Sequence, residues 1–190
     1  MFVDFNRDFI DNLLYEFAKN ISKKYKNIPI DITIVGGAAI LLQAEFRDTT
    51  EDIDIVKDKL LDIKQSLIEL SDSMNISYNS INDNFMYSKS FSRQLYKYSK
   101  LYKKIRNVSF YIVDLKAIAC MKMIAGRKGT NDLTDIENII EVTSLSKEEA
   151  IEILTTLYGA EYSKMLNIDI DFLFSVSKLD LMLRDANNKR

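Results

Sequence analysis

Residues 35–56 read VGGAAILLQAEFRDTTEDIDIV. A β-like run, IDITIV (30–35), stops at Gly36–Gly37. Glycine suits a backbone that turns tightly or lies close to a ligand. AAILLQAEF (38–46) then reads as a helix packed on a sheet, and DIDIV (52–56) as a second strand. On that strand Asp52 and Asp54, at i and i+2, point to one side about 6–7 Å apart. Ile53 and Ile55 point the other way, into the core. Two anions so placed repel unless something cationic sits with them.

Outward from this stretch the pattern alternates. Phe5, Phe9, Leu13, Phe17 and Ile21 recur every four residues, predicting an amphipathic helix over 4–25 with Asp4 as its cap. A further helix is expected in KDKLLDIKQSLIELSDSM (57–74), and strands in ISYNSI (76–81) and VSFYIV (108–113). Beyond Asp114 the pattern is helical. DLKAIACMKMIAG has Asp114 to cap it and Gly126 to stop it, and a helix follows over about 131–142. Ser146 to Glu149 form a capping box for a helix ending near Gly159, and DFLFSVSKLDLMLRD (171–185) is a last amphipathic helix. The expected fold is α/β in the α+β sense: a small mixed sheet flanked by helices, with a helical C-terminal third. Residues 1–27 form an N-terminal helix, 28–115 the core, and 116–190 a helical part packed on the same core.

Composition narrows the chemistry. With 190 residues, nearly half of them hydrophobic, the chain can bury a sizeable core. The net charge of -2 rules out a globally basic nucleic-acid binder, leaving only a local patch. Cys120 is the sole cysteine, so there is no intramolecular disulfide and no cysteine-based zinc site. The absence of histidine removes imidazole catalysis and imidazole metal ligands together. A metal here is held by oxygen, which favours Mg²⁺, Mn²⁺ or Ca²⁺. The first residues carry acids within the apolar pattern and do not read as a signal peptide. No apolar run approaches 18 residues, so neither a membrane span nor a membrane partner is expected, and a cytoplasmic location is.

Gly36–Gly37 entering a helix offers N–H groups to phosphates, and the paired carboxylates suit Mg²⁺, which completes its shell with water and substrate phosphates. Metal and phosphate cradle together are the minimum for nucleotidyl transfer. Singly, a GG after a strand or a DxD on a strand edge is most often structural; the combination carries the reading. The run resembles the DNA polymerase beta-type nucleotidyltransferase superfamily, whose signature is a strand ending in Gly-Gly or Gly-Ser followed by Asp-x-Asp/Glu. More narrowly it is similar to AbiEii-type toxins and related bacterial nucleotidyltransferase-like proteins. Their Arg-x-Thr-x-Asp-x-Asp run is matched by Arg47, Thr49 or Thr50, Asp52 and Asp54, with one additional residue before Asp52.

VDLKAIACMKMIAGRKGTNDLTDIENI (113–139) is similar to the C-terminal block of that branch, matching it at Lys122, Arg127, Asp132 and Asp135. The resemblance, which covers about 30–142, implies an NTP substrate, Mg²⁺ or Mn²⁺ at Asp52 and Asp54, and a nucleotide bound by Gly36, Gly37, Arg47, Thr49, Thr50, Lys122 and Arg127. Asp132 and Asp135 would fix the two cations or orient a hydroxyl. A set of interhelical salt bridges is the equal alternative for those four. Active members carry a third carboxylate on a neighbouring strand. VSFYIV has none, and Asp114 and Asp83 are the outside candidates.

KSFSRQLYKYSKLYKKIR (89–106) contains seven Lys/Arg and no acid. Wound as an α-helix it sets Lys89, Arg93, Lys97, Lys100 and Lys104 on one arc, a track for an RNA such as tRNA, a solvated face or a face for an acidic partner; an irregular loop with scattered charges is the alternative. The expected function is transfer of NMP from an NTP to a hydroxyl on RNA or protein. The resemblance suggests a toxin–antitoxin or phage-defence setting with a cognate protein partner. The competing expectation is a degenerate relative that binds nucleotide or partner as antitoxin or scaffold, and a third, an RNA-binding module resting on the 89–106 stripe alone, is opposed by the net acidity.

Overall fold

The computed structural model describes residues 4–127 and 129–175. They fall into two compact units. The first runs to Phe91 and includes Leu95–Asp114; the second holds Ser92–Gln94 and the residues from Leu115 on.

The first unit is built on a five-stranded mixed sheet of order β3-β2-β1-β5-β4. Its strands are β1 (Ile30–Ile34), β2 (Ile53–Lys57), β3 (Ile81–Asn82), β4 (Ser99–Ile105) and β5 (Val108–Val113). β1 runs antiparallel to β2, with Ile34 opposite Ile55, and parallel to β5, with Ile34 opposite Ile112. Ile34, Ile53, Ile55 and Phe110 are completely buried, so alternate positions of three neighbouring strands supply one apolar face. Three helices belong to this unit: α1 (Arg7–Lys24), α2 (Gly36–Leu41) and α3 (Lys64–Met74). α1 buries Ile10, Leu13, Leu14, Phe17, Ala18 and Ile21 and packs against α3. Its cap is Asn6, whose side chain accepts from the Phe9 N–H, rather than Asp4.

Several elements are shorter than the sequence pattern predicts, each for a local reason. α2 ends at Leu41, beyond which the Gln43 amide donates to the carbonyls of Ala39 and Val113. β2 keeps Lys57, and α3 waits until Lys64 because two aspartates make Asx-type turns: Asp58 accepts from Leu60 N–H and Asp62 from Lys64 N–H. Of the strand expected over 76–81, only Ile81 pairs. Ser77 Oγ accepts from Asn79 N–H, and Ser80 N–H donates to the Ser77 carbonyl.

The basic segment is not an α-helix, and the helical arc of Lys89, Arg93, Lys97, Lys100 and Lys104 does not exist. Lys89 lies before a 3-10 helix spanning Arg93–Tyr98, which holds Arg93 and Lys97, while Lys100 and Lys104 lie on β4. β4 and β5 form a hairpin through Arg106 and Asn107, with Ile105 opposite Val108 and Arg106 at φ 55°. A register shift between Leu101 and Lys103 interrupts the pairing. Lys103 and Tyr102 are both tied to Asp11 of α1.

The second unit consists of α4 (Leu115–Ala125), α5 (Asp132–Thr143) and α6 (Lys147–Tyr158), followed by a 3-10 turn at Tyr162–Lys164. α4 packs on both of the other helices and buries eight successive residues, Ala117 to Ile124. α6 opens as its sequence implies: the Ser146 side chain accepts from the Glu149 N–H. The expected helix over 171–185 is present at 170–175, and its remainder lies outside the described residues. Among the described residues no helix is long and apolar enough to cross a membrane.

Candidate active site

Where β1 ends, the Val35 N–H donates to the Asp54 carbonyl at 3.0 Å, and the chain turns at Gly36 with φ +64°. That conformation is strained for any residue with a Cβ. Space is limiting as well. A Cβ on Gly36 would lie 3.2 Å from Asp54 Oδ2, and one on Gly37 would lie 2.8 Å from Arg47 Nη2 and 3.0 Å from Thr50 Oγ1. A carboxylate, a guanidinium and a hydroxyl therefore converge over a floor without side chains.

The loop before β2 positions two of these groups. Thr50 is buried and exchanges backbone hydrogen bonds with Phe5 at 2.7 and 3.0 Å, while its hydroxyl donates to the Asp52 carbonyl. Arg47 Nε donates to the Thr49 carbonyl at 3.1 Å. The structure thus separates the two threonines: Thr50 faces Gly37, and Thr49 is exposed and contributes its backbone.

Strand alternation places the side chains of Asp52 and Asp54 opposite to the fully buried Ile53 and Ile55. Asp54 is half-buried and Asp52 exposed. On the outer side of β2, β3 runs parallel with Asn82 beside Asp54, and the Asn82 amide donates to Asp52 Oδ2 at 3.4 Å. The other candidates for a third acid are placed differently. Asp83 pairs with Lys57 at 3.1 Å, and Asp114 follows β5, where its N–H donates to the Tyr98 carbonyl. In register, Val35 lies across from Asp54, and the next residue in that row on β5 is the buried Val113.

Among the described residues no group of three or more Cys, Asp or Glu side chains is set to hold a metal ion. Two hard oxygen donors beside an open glycine floor fit Mg²⁺ or Mn²⁺ that takes its remaining ligands from water and phosphate. They do not make a closed protein cage.

In the second unit the motif residues form a compact ionic cluster. Lys122 of α4 is 8 % exposed, and its ammonium lies 2.6 Å from Asp132 Oδ1 and 3.0 Å from Asp135 Oδ2 on α5. Arg127 adds bonds from Nε and Nη2 to Asp132 at 3.1 and 3.2 Å, with its own side chain largely in solvent. Burial pushes the Asp132 carboxyl up, but hydrogen bonds from Arg127 and Lys122 outweigh it and hold the group well below the usual carboxylate range. Gly126, at φ +46°, makes the intervening turn, where a Cβ would collide with Asn167. The interhelical salt bridges are real, and Lys122 is fully engaged in them.

Asn82 was the residue that sequence patterns missed. The only signal is a polar Asn82–Asp83–Asn84 triplet after Ile81, in a strand too short to show alternation.

Residues 12–179 match the model of a family described as a nucleotidyltransferase of unknown function (DUF6036). No curated protein and no solved structure matches the chain.

Proposed function

The chain belongs to this nucleotidyltransferase family, and we propose that it transfers a nucleoside monophosphate from an NTP to a hydroxyl on RNA, such as tRNA, or on a protein. The acceptor oxygen bonds to the α-phosphorus, the bond to the bridging oxygen breaks, pyrophosphate leaves and the hydroxyl proton passes to water. The convergence of Asp54, Arg47 and Thr50 on Gly36–Gly37 carries this reading. The glycine floor lets a triphosphate approach the backbone. The Arg47 guanidinium offers paired donors to a phosphate, and the Thr50 hydroxyl lies beside it. Asp52 and Asp54 would hold Mg²⁺ or Mn²⁺, which when bound neutralises charge on the phosphates. In the second unit Asp132 and Asp135 both hold Lys122, and Asp132 also pairs with the largely exposed Arg127, which by the likeness of its motif would serve as a phosphate contact. The likeness of both motifs to AbiEii-type proteins supports a toxin–antitoxin or phage-defence role with a cognate protein partner.

A second reading is favoured by Asn82, a neutral amide on the strand next to the aspartate pair. It makes the chain a degenerate relative that binds nucleotide without transferring it, as antitoxin or scaffold. Incubation with each labelled NTP, Mg²⁺ or Mn²⁺, and total tRNA or lysate, beside an Asp54→Asn control, separates the two. Label transfer that the control loses supports the enzyme. Nucleotide binding without transfer supports the degenerate reading, and neither binding nor transfer defeats both.

A further inference from the structure

We propose that Asn82 stands where a third carboxylate would complete the Asp52–Asp54 pair, and that it restricts this site to a divalent ion arriving with a polyphosphate. The inference rests on the nucleotidyltransferase reading of the pair and adds to it the state in which the ion is taken up.

Three observations carry it. β3 pairs in parallel with β2, so that Asn82 is the cross-strand neighbour of Asp54 on the same face of the sheet. The Asn82 amide is fixed at both ends: Oδ1 accepts from the Asn84 N–H at 3.1 Å, and Nδ2 donates to Asp52 Oδ2 at 3.4 Å. The amide oxygen is therefore engaged with backbone, and the group turned toward the carboxylates is an NH₂, which donates hydrogen bonds and cannot ligate a cation. The adjacent acid does not substitute for it, because Asp83 is held by the nearly buried Lys57.

An aspartate at position 82 would set a third anion beside two others. That trio would repel when metal-free and attract a divalent ion strongly, since affinity follows the charge count of the ligands. The amide relieves the repulsion and lends Asp52 a hydrogen bond, so the pair persists without an ion. Polyphosphate oxygens then have to supply the ligands that Asn82 withholds.

The test titrates Mn²⁺, alone and with tripolyphosphate, a probe that does not depend on the base, into the whole chain and its Asn82→Asp, Asn82→Ala and Asp54→Asn variants. Free Mn²⁺ is followed by electron paramagnetic resonance, and Tm is recorded in parallel. For the unsubstituted chain, weak Mn²⁺ binding that tripolyphosphate strengthens is expected. Asn82→Asp should tighten Mn²⁺ alone by about tenfold, lower the metal-free Tm and reduce the benefit of tripolyphosphate. Asn82→Ala, which keeps the strand but loses the bond to Asp52, should weaken Mn²⁺–tripolyphosphate binding severalfold; if Asn82 serves only the strand, that binding stays unchanged. Should Asn82→Asp bind Mn²⁺ no more tightly while Asp54→Asn abolishes binding, the role of Asn82 is wrong and the site stands. Binding that is absent, or indifferent to Asp54→Asn, overturns the site and the inference together.

Discussion

Two glycines differ sharply at the level of single residues. Gly36 has φ +64° and Asp54 Oδ2 at 3.2 Å from a would-be Cβ, so Gly36→Ala meets backbone strain and a carboxylate at once. A loss of about 1–2 kcal/mol is expected, measured by urea unfolding. Gly37→Ala is different in kind, because it has no positive φ and its methyl meets the flexible end of Arg47 and the hydroxyl of the buried Thr50. Backbone strain is absent there, and what changes is where the guanidinium and the Thr50 hydroxyl rest. Lys122 is the cation shared by two buried carboxylates. Lys122→Met removes the ammonium shared by the buried Asp132 and Asp135, while Asp132 keeps its bonds from the Arg127 side chain and N–H. About 3–5 kcal/mol is expected from stranding a buried charge, checked by chemical denaturation. At this scale the sequence disclosed Gly36, Gly37 and the aspartate pair, because glycine and alternating charge are visible without coordinates. It left the choice between Thr49 and Thr50 open, because an inserted residue blurs the spacing and only the Phe5 backbone bonds select Thr50.

Elements with a clean period were the ones that could be read. α1, β1, β2, β5, α5 and α6 follow either the 3.6 or the 2.0 repeat, while α4, buried along eight successive residues, was bounded by its stop at Gly126. The capping box of α6 also stands as spaced, and Ser146→Ala, which removes the acceptor for the Glu149 N–H, should cost about 1 kcal/mol. Hydrogen exchange at the first turn of α6 is the direct measurement. β4 was misread for a physical reason. Leu95, Tyr98, Tyr102 and Ile105 happen to recur at helical spacing, and the register shift at Leu101/Lys103 removes the strict alternation that marks a strand. β3 was beyond reach, since two residues have no period.

For the whole molecule, the response to pH follows from the groups whose ionisation the fold perturbs. Asp132 is held below its ordinary value near 3.8, so the native state binds its proton less readily than the unfolded chain does. Its stabilisation is complete above about pH 4 and drains away on acidification below that. At the other end burial pushes the Cys120 thiol up to about 12 from 9.0. Burial and a hydrogen bond to Asp11 raise the Tyr102 phenol to about 12 from 10.0. Burial also raises the Tyr158 phenol. Each favours the folded state below its unfolded value and forfeits that advantage as pH climbs past it. With no histidine to titrate in between, thermal unfolding followed by circular dichroism should trace a broad level stretch from about pH 4 to 9. Asp132→Asn should flatten the acid limb.

β4 closes one side of the sheet, and along it Lys100 and Lys104 stand in solvent. Were two molecules to meet rim to rim along that strand, ammonium groups would confront ammonium groups across the new ladder. The same row of cations that looks like an invitation to anions is thus a deterrent to its own kind, a guard against fibre-like stacking on a strand that, among the described residues, is the last in the sheet.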